Sequence, residues 1–261
     1  MVNAILGSDR NARLGFRPQL PGKPVCTKRR MVQHVLEHLW ELRGTLRDAR
    51  AILKHDGAGY FEVPNGLATF SGHAVWDLTY EHVSYFSPLS FKEALSRSRF
   101  AVSRLATSFG EQYLQAQVLT AEASGAVHSA STDATPFDAR QLSRDFRDVL
   151  TDVLAAWRDR MARITAAGGR AVLWGAGAKA VSFLNMLAIG ADQIEYVVDI
   201  NPRKAGRFTP GTGQKVISPD QLVEHRPDMV LVMNPQYVAE IQAMLALLGH
   251  RCELIAVTSS A

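Results

Sequence analysis

Cysteine is scarce in this sequence, and long apolar runs are missing. The 261 residues include two cysteines, Cys26 and Cys252, near opposite ends. They form no metal-ligand spacing and no disulfide framework, which argues against a small stapled secreted domain and makes a reducing cytoplasm the expected setting. No apolar stretch reaches the roughly 18 residues a membrane helix needs, and the amino end has no hydrophobic signal core, so no membrane partner is expected. No internal repeat is visible. With 47% hydrophobic and 21% charged residues, the chain has the composition of an ordinary globular protein with room for one or two cores.

The net charge of +4 is unevenly spread. Residues 1–54 carry eleven Lys and Arg against Asp9, Glu37, Glu41 and Asp48, and the remainder is slightly acidic. A basic front can mark nucleic-acid contact. Here only Phe16 interleaves with Arg10, Arg13, Arg17, Arg29 and Arg30, and no binding motif frames them. No nucleic-acid partner is expected.

Residues 1–30 follow neither a helical nor a strand period, and Pro18, Pro21 and Pro24 interrupt any regular element, so an irregular leader is expected there. A helix is predicted from His34 to about Lys54, with Leu39, Leu42, Leu46, Ala49 and Leu53 on one face. Gly57 closes it, and Gly59–Pro64 reads as a strand. His34, Glu37 and His38 lie close in sequence, but the helical zinc pattern is His-Glu-x-x-His, which this is not. No zinc is expected in this chain.

The chemically richest stretch is Tyr80-Glu81-His82-Val83-Ser84-Tyr85-Phe86-Ser87. Histidine titrates near neutrality, and a neighbouring carboxylate can tune it or work with it. Structurally the stretch reads as a turn into a helix, with Ser87 as N-cap, Pro88 as first helical residue, and Phe91 and Leu95 buried. Phe100–Phe109 and Gln112–Val118 follow as two β runs around Gly110. Ala, Ser, Thr and Gly dominate residues 121–137, which read as a linker. A long helix is predicted from Phe137 to Ala167, with Leu142, Phe146, Leu150, Val153, Leu154 and Trp157 on its buried stripe.

The back part opens on the strand Arg170–Trp174, then the turn Gly175-Ala176-Gly177-Ala178-Lys179-Ala180 into a helix, then the strand Ile194–Val198 and Asp199. This is the strand, Gly-x-Gly-x-x-Ala, helix, strand, acid order of a mononucleotide-binding βαβ unit. Gly175 permits the turn, Gly177 lets backbone approach a phosphate, and the helix amino end favours an anion. Asp199 is a candidate for ribose hydroxyls, and Lys179 and Arg203 for phosphate. Met229–Met233 leads into Asn234-Pro235-Gln236-Tyr237 at the same sheet edge, and a strand at 252–257 is expected to finish a small parallel sheet.

The phrases YEHVSYFSPLSF (Tyr80–Phe91), WGAGAKAVSFLN, VVDINPRKAGRFTPGTG and VMNPQY resemble the sugar C-methyltransferases, which methylate a carbon of a nucleotide-linked ketosugar with S-adenosylmethionine as donor. The resemblance covers about residues 34–250. It implies an α/β protein whose residues 31–120 form part of a class I methyltransferase (Rossmann-like) sheet, followed by a second, small Rossmann-like domain at 138–261 that helps hold the nucleotide-sugar. It implies that His82 removes the proton next to the ketone while Glu81 and Tyr80 position it or the sugar. It places His34 and His38 beside the methyl donor, and Gly175, Gly177, Lys179, Asp199, Asn234 and Tyr237 at the nucleotide-sugar.

Against that pattern, residues 26–31 do not read as the buried strand the family has before HVLEH. The donor's glycine-rich loop and the family's Cys-rich zinc module are not found in 1–30. A chain truncated at its amino end, with an impaired donor site, is therefore expected. Two other readings stay open: a non-catalytic nucleotide-sugar binding protein, and a dinucleotide-dependent oxidoreductase built on Gly175–Asp199.

Overall fold

The computed structural model describes residues 27–120 and 138–258, together with the strand pair β1 (Asn3–Ala4) and β2 (Leu14–Gly15), which run antiparallel. Most of the expected leader and all of the expected linker lie outside the described residues. The chain divides into two compact α/β units, Met1–Gly72 with Tyr80–Asp138, and His73–Thr79 with Ala139–Ala261.

The four-stranded sheet of the first unit begins with β3 (Thr27–Gln33), where the sequence reading expected no strand. The strand pairs in parallel with β4 (Leu53–Pro64), with an irregularity between Thr27 and Arg29. Lys28, Arg29 and Arg30 hide it from a search for apolar runs, yet β3 is an edge strand of the described sheet, where charged residues are at home. The helix expected over His34–Lys54 is shorter. His34 adopts a left-handed φ of 51°, Leu36–His38 form one 3-10 turn, and Leu39 is extended. Helix α1 (Leu42–Ala51) then starts under a cap from Glu41, whose side chain accepts the Gly44 N–H at 3.0 Å.

Helix α2 (Gly66–Ser71) and helix α3 (Pro88–Arg97) follow β4. Ser87 caps α3 in a reciprocal box with Ser90, and Phe91 and Leu95 are wholly buried, as the sequence indicates. The hairpin β5 (Phe100–Ser108) and β6 (Tyr113–Thr120) completes a sheet of order β3-β4-β6-β5, with β6 antiparallel to both neighbours. Phe61, Val63, Phe91, Leu95, Leu114, Ala116 and Val118 fill the core.

The second unit carries α4 (Ala139–Ala166), β7 (Ala171–Trp174), α5 (Ala178–Leu187), β8 (Tyr196–Val198), β9 (Lys215–Ile217), α6 (Leu222–His225), β10 (Met229–Val232), α7 (Val238–Leu247) and β11 (Glu253–Ala256). The sheet order is β11-β10-β7-β8-β9, and every pairing is parallel. Its strands are nearly continuous apolar runs, as expected for a sheet covered on both faces. Segment His73–Thr79 belongs to this unit: Trp76 packs edge-on to Phe183 at 4.9 Å, and the Leu78 carbonyl accepts from Ser182 Oγ at 2.8 Å. Among the described residues, no helix is long and apolar enough to cross a membrane.

Candidate functional site

In the first unit, the end of β3 turns sharply at His34, whose N–H bonds the Glu62 carbonyl at 3.1 Å. Val35 and Leu36 plunge into the core, and the 3-10 turn that follows carries Glu37 inside with them, 1% exposed. The Glu37 carbonyl accepts the N–H groups of Val83 (2.8 Å) and Ser84 (3.2 Å). His38 Nδ1 bonds the Glu81 carbonyl at 2.9 Å. Further on, the Phe86 carbonyl accepts from Gly66 N at 2.7 Å. Gly66 is required there, because a Cβ would stand 2.9 Å from that of Tyr85. Residues 81–86 are thus fastened at both ends, and the ring of His82 lies edge-on to His38 (centroids 4.8 Å apart) and to Tyr85 (5.8 Å).

Three imidazoles gather around one buried carboxylate. Glu37 Oε1 is 3.7 Å from His34 Nδ1 and 3.8 Å from His38 Nε2. Glu37, His38 and His82 each bring one ligand-type atom within 4.8 Å of the others. Glu37 Oε2 and His82 Nδ1 are buried with no hydrogen-bond partner. His34 Nε2 also meets Glu62 Oε1 at 3.2 Å, and Glu62 accepts from Gln33 (3.1 Å), Tyr60 (2.7 Å) and Gln115 (2.9 Å). The Glu37 carboxylate raises the pKa of His34 against the opposing effect of burial, with Glu62 adding to the rise. Burial lowers that of His82, with Glu37 opposing. Burial, reinforced by Glu62, drives the Tyr60 phenol upward. His82 is therefore neutral near pH 7 and carries a lone pair, as a general base must. Its buried nitrogen is Nδ1, which leaves Nε2 to meet a substrate.

The structure brings His34, His38 and His82 together around Glu37, and adds Glu62 as a second carboxylate beside His34. Glu81 contributes its carbonyl to this cluster while its side chain is exposed. Tyr80 is 98% exposed. Neither spacing nor periodicity pointed to Glu62. Its only sequence signal is a carboxylate in an otherwise buried strand end, Phe61–Val63.

In the second unit, the residues read as nucleotide-binding collect at the carboxyl ends of β7, β8 and β10. The order β11-β10-β7-β8-β9 reverses direction between β7 and β10, which is where open parallel sheets hold ligands. Gly175 (φ 107°) follows β7, and Gly177 caps α5 with no atom within 4 Å of where its Cβ would be. Asp199 is 9% exposed and engaged: Oδ2 accepts from Ala176 N (2.9 Å) and Lys204 Nζ (2.8 Å), and Oδ1 from Asn201 N (2.8 Å). Lys204 also donates to the Ala176 carbonyl at 2.8 Å. Lys179 pairs with Asp77 at 2.7 Å. Asn234 follows β10 and caps the next turn by accepting from Gln236 N at 3.2 Å; Tyr237 is 43% exposed, and Arg203 lies on the exposed loop after β8.

Comparison with known proteins bears on both units. A family model described as "C-methyltransferase C-terminal domain" matches residues 114–255. The C-methyltransferase NovU of Streptomyces niveus is 24% identical over 241 residues, covering 87% of this chain and 57% of that protein. The chain thus spans somewhat over half the length of that curated relative. Among solved structures, the Rex-family repressor RSP aligns over 49% of this chain and 65% of its own, with 13% identity and a TM-score of 0.28. RSP in complex with β-NADH aligns over 48% and 77%, with 14% identity and a TM-score of 0.28.

Proposed function

This chain belongs to the C-methyltransferase family, and from that membership we propose that it serves the S-adenosylmethionine-dependent methylation of a carbon in a nucleotide-linked ketosugar. The observation that carries the chemistry is His82. It is a half-buried imidazole kept neutral by burial, anchored against the Glu37 turn, with Nδ1 buried and Nε2 left for substrate. His82 Nε2 takes the proton from the carbon next to the ketone, and the electron pair passes to the carbonyl oxygen to give the enolate. Glu81 and Tyr80 present exposed side chains and take the sugar oxygens in this reading. The turn Gly175–Lys179, with Asn234 and Tyr237, receives the diphosphate and nucleoside at the carboxyl edge of the second sheet.

S-adenosylmethionine would supply the methyl group to that enolate carbon. A strand followed by a glycine-rich turn is its ordinary cradle, and in the first unit the described residues do not fit it: Gly57 and Gly59 lie inside β4, and Gly66 follows it alone. The same observation favours a second reading, binding of a nucleotide-sugar without turnover.

Solvent deuterium exchange separates the two, because enolisation needs no methyl donor. The full chain is incubated in D2O with nucleotide-linked ketosugars, and label at the carbon beside the ketone is followed by NMR. Exchange should occur and should fall by about 10²- to 10⁴-fold in His82→Ala, the usual contribution of a positioned base. Equal exchange in the wild type and a folded His82→Ala would remove His82 from the chemistry. No exchange with a sugar that binds would leave the binding reading.

A further inference from the structure

We propose that Glu37, His38 and His82 form a binding site for a divalent transition metal of the zinc class. Three independent features of the cluster point there. First, Glu37 is 1% exposed to solvent and its Oε2 has no hydrogen-bond partner, whereas buried side-chain oxygens ordinarily have one. His34 Nδ1 lies 3.7 Å from Glu37 Oε1, but its other nitrogen already meets Glu62 at 3.2 Å, so one ring is shared between two side chains and neither contact reaches Glu37 Oε2.

Second, the Glu81 carbonyl can only accept, so His38 Nδ1 at 2.9 Å must carry the proton. In the neutral ring that tautomer leaves Nε2 bare, facing Glu37 Oε1 at 3.8 Å. A ring N–H given to a backbone carbonyl, with the opposite nitrogen free, is how metal-binding histidines are held. Third, His82 brings a ring nitrogen into the same group, its Nδ1 is buried without a partner, and its ring lies edge-on to that of His38 at 4.8 Å.

Two imidazoles and a carboxylate form a borderline donor set that suits zinc and leaves a fourth position for water or a substrate oxygen. The three donor atoms lie within 4.8 Å of one another, while tetrahedral zinc sets nitrogen and oxygen ligands about 3.4 Å apart. The side chains must therefore draw in by about 1 Å or slightly more. The sequence pointed away from a metal because His34-x-x-Glu37-His38 lacks the helical zinc spacing; His82, from a distant segment, completes the set.

A metal bound here takes no part in the proposed reaction and opposes it in one respect. Metal on His82 Nδ1 leaves the proton on Nε2, so the metal-bound protein cannot accept a proton from substrate at that atom. The zinc-loaded and base-competent states exclude one another.

The test uses the full chain, treated with a chelator and dialysed, and contains no substrate. Co2+ is titrated while its visible absorption is recorded, Zn2+ displaces it, and bound metal is counted by mass spectrometry. The expected result is one equivalent per chain, with affinity at least tenfold weaker in His38→Ala, His82→Ala and Glu37→Gln, and unchanged in the control His225→Ala. His38 and His82 are partly exposed, so their variants remain informative should Glu37→Gln fail to fold. Absence of metal binding, or equal affinity in wild type and folded His38→Ala and His82→Ala, would overturn the site. Either result leaves the deuterium-exchange test of His82 intact, and loss of exchange activity says nothing about zinc.

Discussion

His38 donates its Nδ1–H to the backbone carbonyl of Glu81 across 2.9 Å, and so joins the turn after β3 to the segment carrying His82. The bond fixes the ring that His82 packs against and reinforces the adjacent pair that runs from Val83 and Ser84 to the Glu37 carbonyl. In His38→Ala this end of the segment keeps only the second attachment. A net hydrogen bond contributes about 1 kcal/mol, so amide hydrogen exchange at Val83 and Ser84 should quicken about fivefold while α3 stays protected. Unchanged exchange would mean that the Glu37 carbonyl alone holds this end of the segment.

The cluster also sets a pH dependence whose two parts have opposite sign. The pKa of His82 is lowered by burial, so the unfolded chain binds that proton more readily. Stability from keeping His82 neutral is complete above its ordinary value of 6.5 and is lost as pH falls below it toward the folded value. The pKa of His34 is raised, first by Glu37, so its contribution is complete below 6.5 and fades as pH rises through its higher folded value. Thermal denaturation across this range should show His82→Gln flattening the acid side and His34→Gln the alkaline side. If both variants kept the wild-type profile, the cluster would not titrate with folding.

The parts of this molecule legible in sequence are those set by short-range rules. Ser87-Pro88 announces the start of α3 because a cap and a fixed φ act within one turn, and Gly175–Lys179 announces a strand-to-helix turn for the same reason. β3 escaped because parallel pairing with β4, not its own Lys-Arg-rich composition, makes it a strand. β9 escaped because three residues are too few to show a period, although its position beside β8 completes the second sheet. The candidate site was half visible. His82 and Glu81 stand together in sequence, but Glu37 becomes an interior carboxylate only because Val35 and Leu36 drag the turn into the core. The ribose role expected for Asp199 could not be weighed until Lys204 and the Ala176 N–H were seen to claim its oxygens.

The cap at Ser87 supports both the helix and the segment before it. Its Oγ accepts the Ser90 N–H at 3.1 Å, and its own N–H is answered by Ser90 Oγ at 2.9 Å. Ser87→Ala should cost about 1 kcal/mol. Phe91→Ala, in a site with no solvent exposure packed against Phe86, should cost about 3–5 kcal/mol. Denaturant titration monitoring the first unit checks both, and a Phe91→Ala loss no larger than that of Ser87→Ala would show that this core collapses around the cavity.

Gly177, Gly175 and Asp199 separate binding from folding in the second unit. Gly177 has φ −110° and ψ −172°, a conformation open to any residue, and nothing lies within 4 Å of a Cβ there. Gly177→Val should therefore fold, losing about 1 kcal/mol or less at a helix N-cap. Its side chain would nonetheless stand over the first-turn N–H groups where a phosphate must come close. Affinity for a nucleoside diphosphate-linked sugar should fall at least tenfold, about 1.4 kcal/mol. Gly175→Val behaves differently: at φ 107° a branched side chain is strained, so it should destabilise the unit whatever it does to binding. Asp199→Asn removes a charged acceptor shared by Ala176 N and Lys204 Nζ, and should loosen the turn by about 1–3 kcal/mol. Calorimetry on the full chain, read beside thermal melts, distinguishes these outcomes. A folded Gly177→Val that binds as tightly as wild type would place the nucleotide away from the α5 amino end, and Asp199 would then be a strut between the β7 and β8 loops with no ligand beside it.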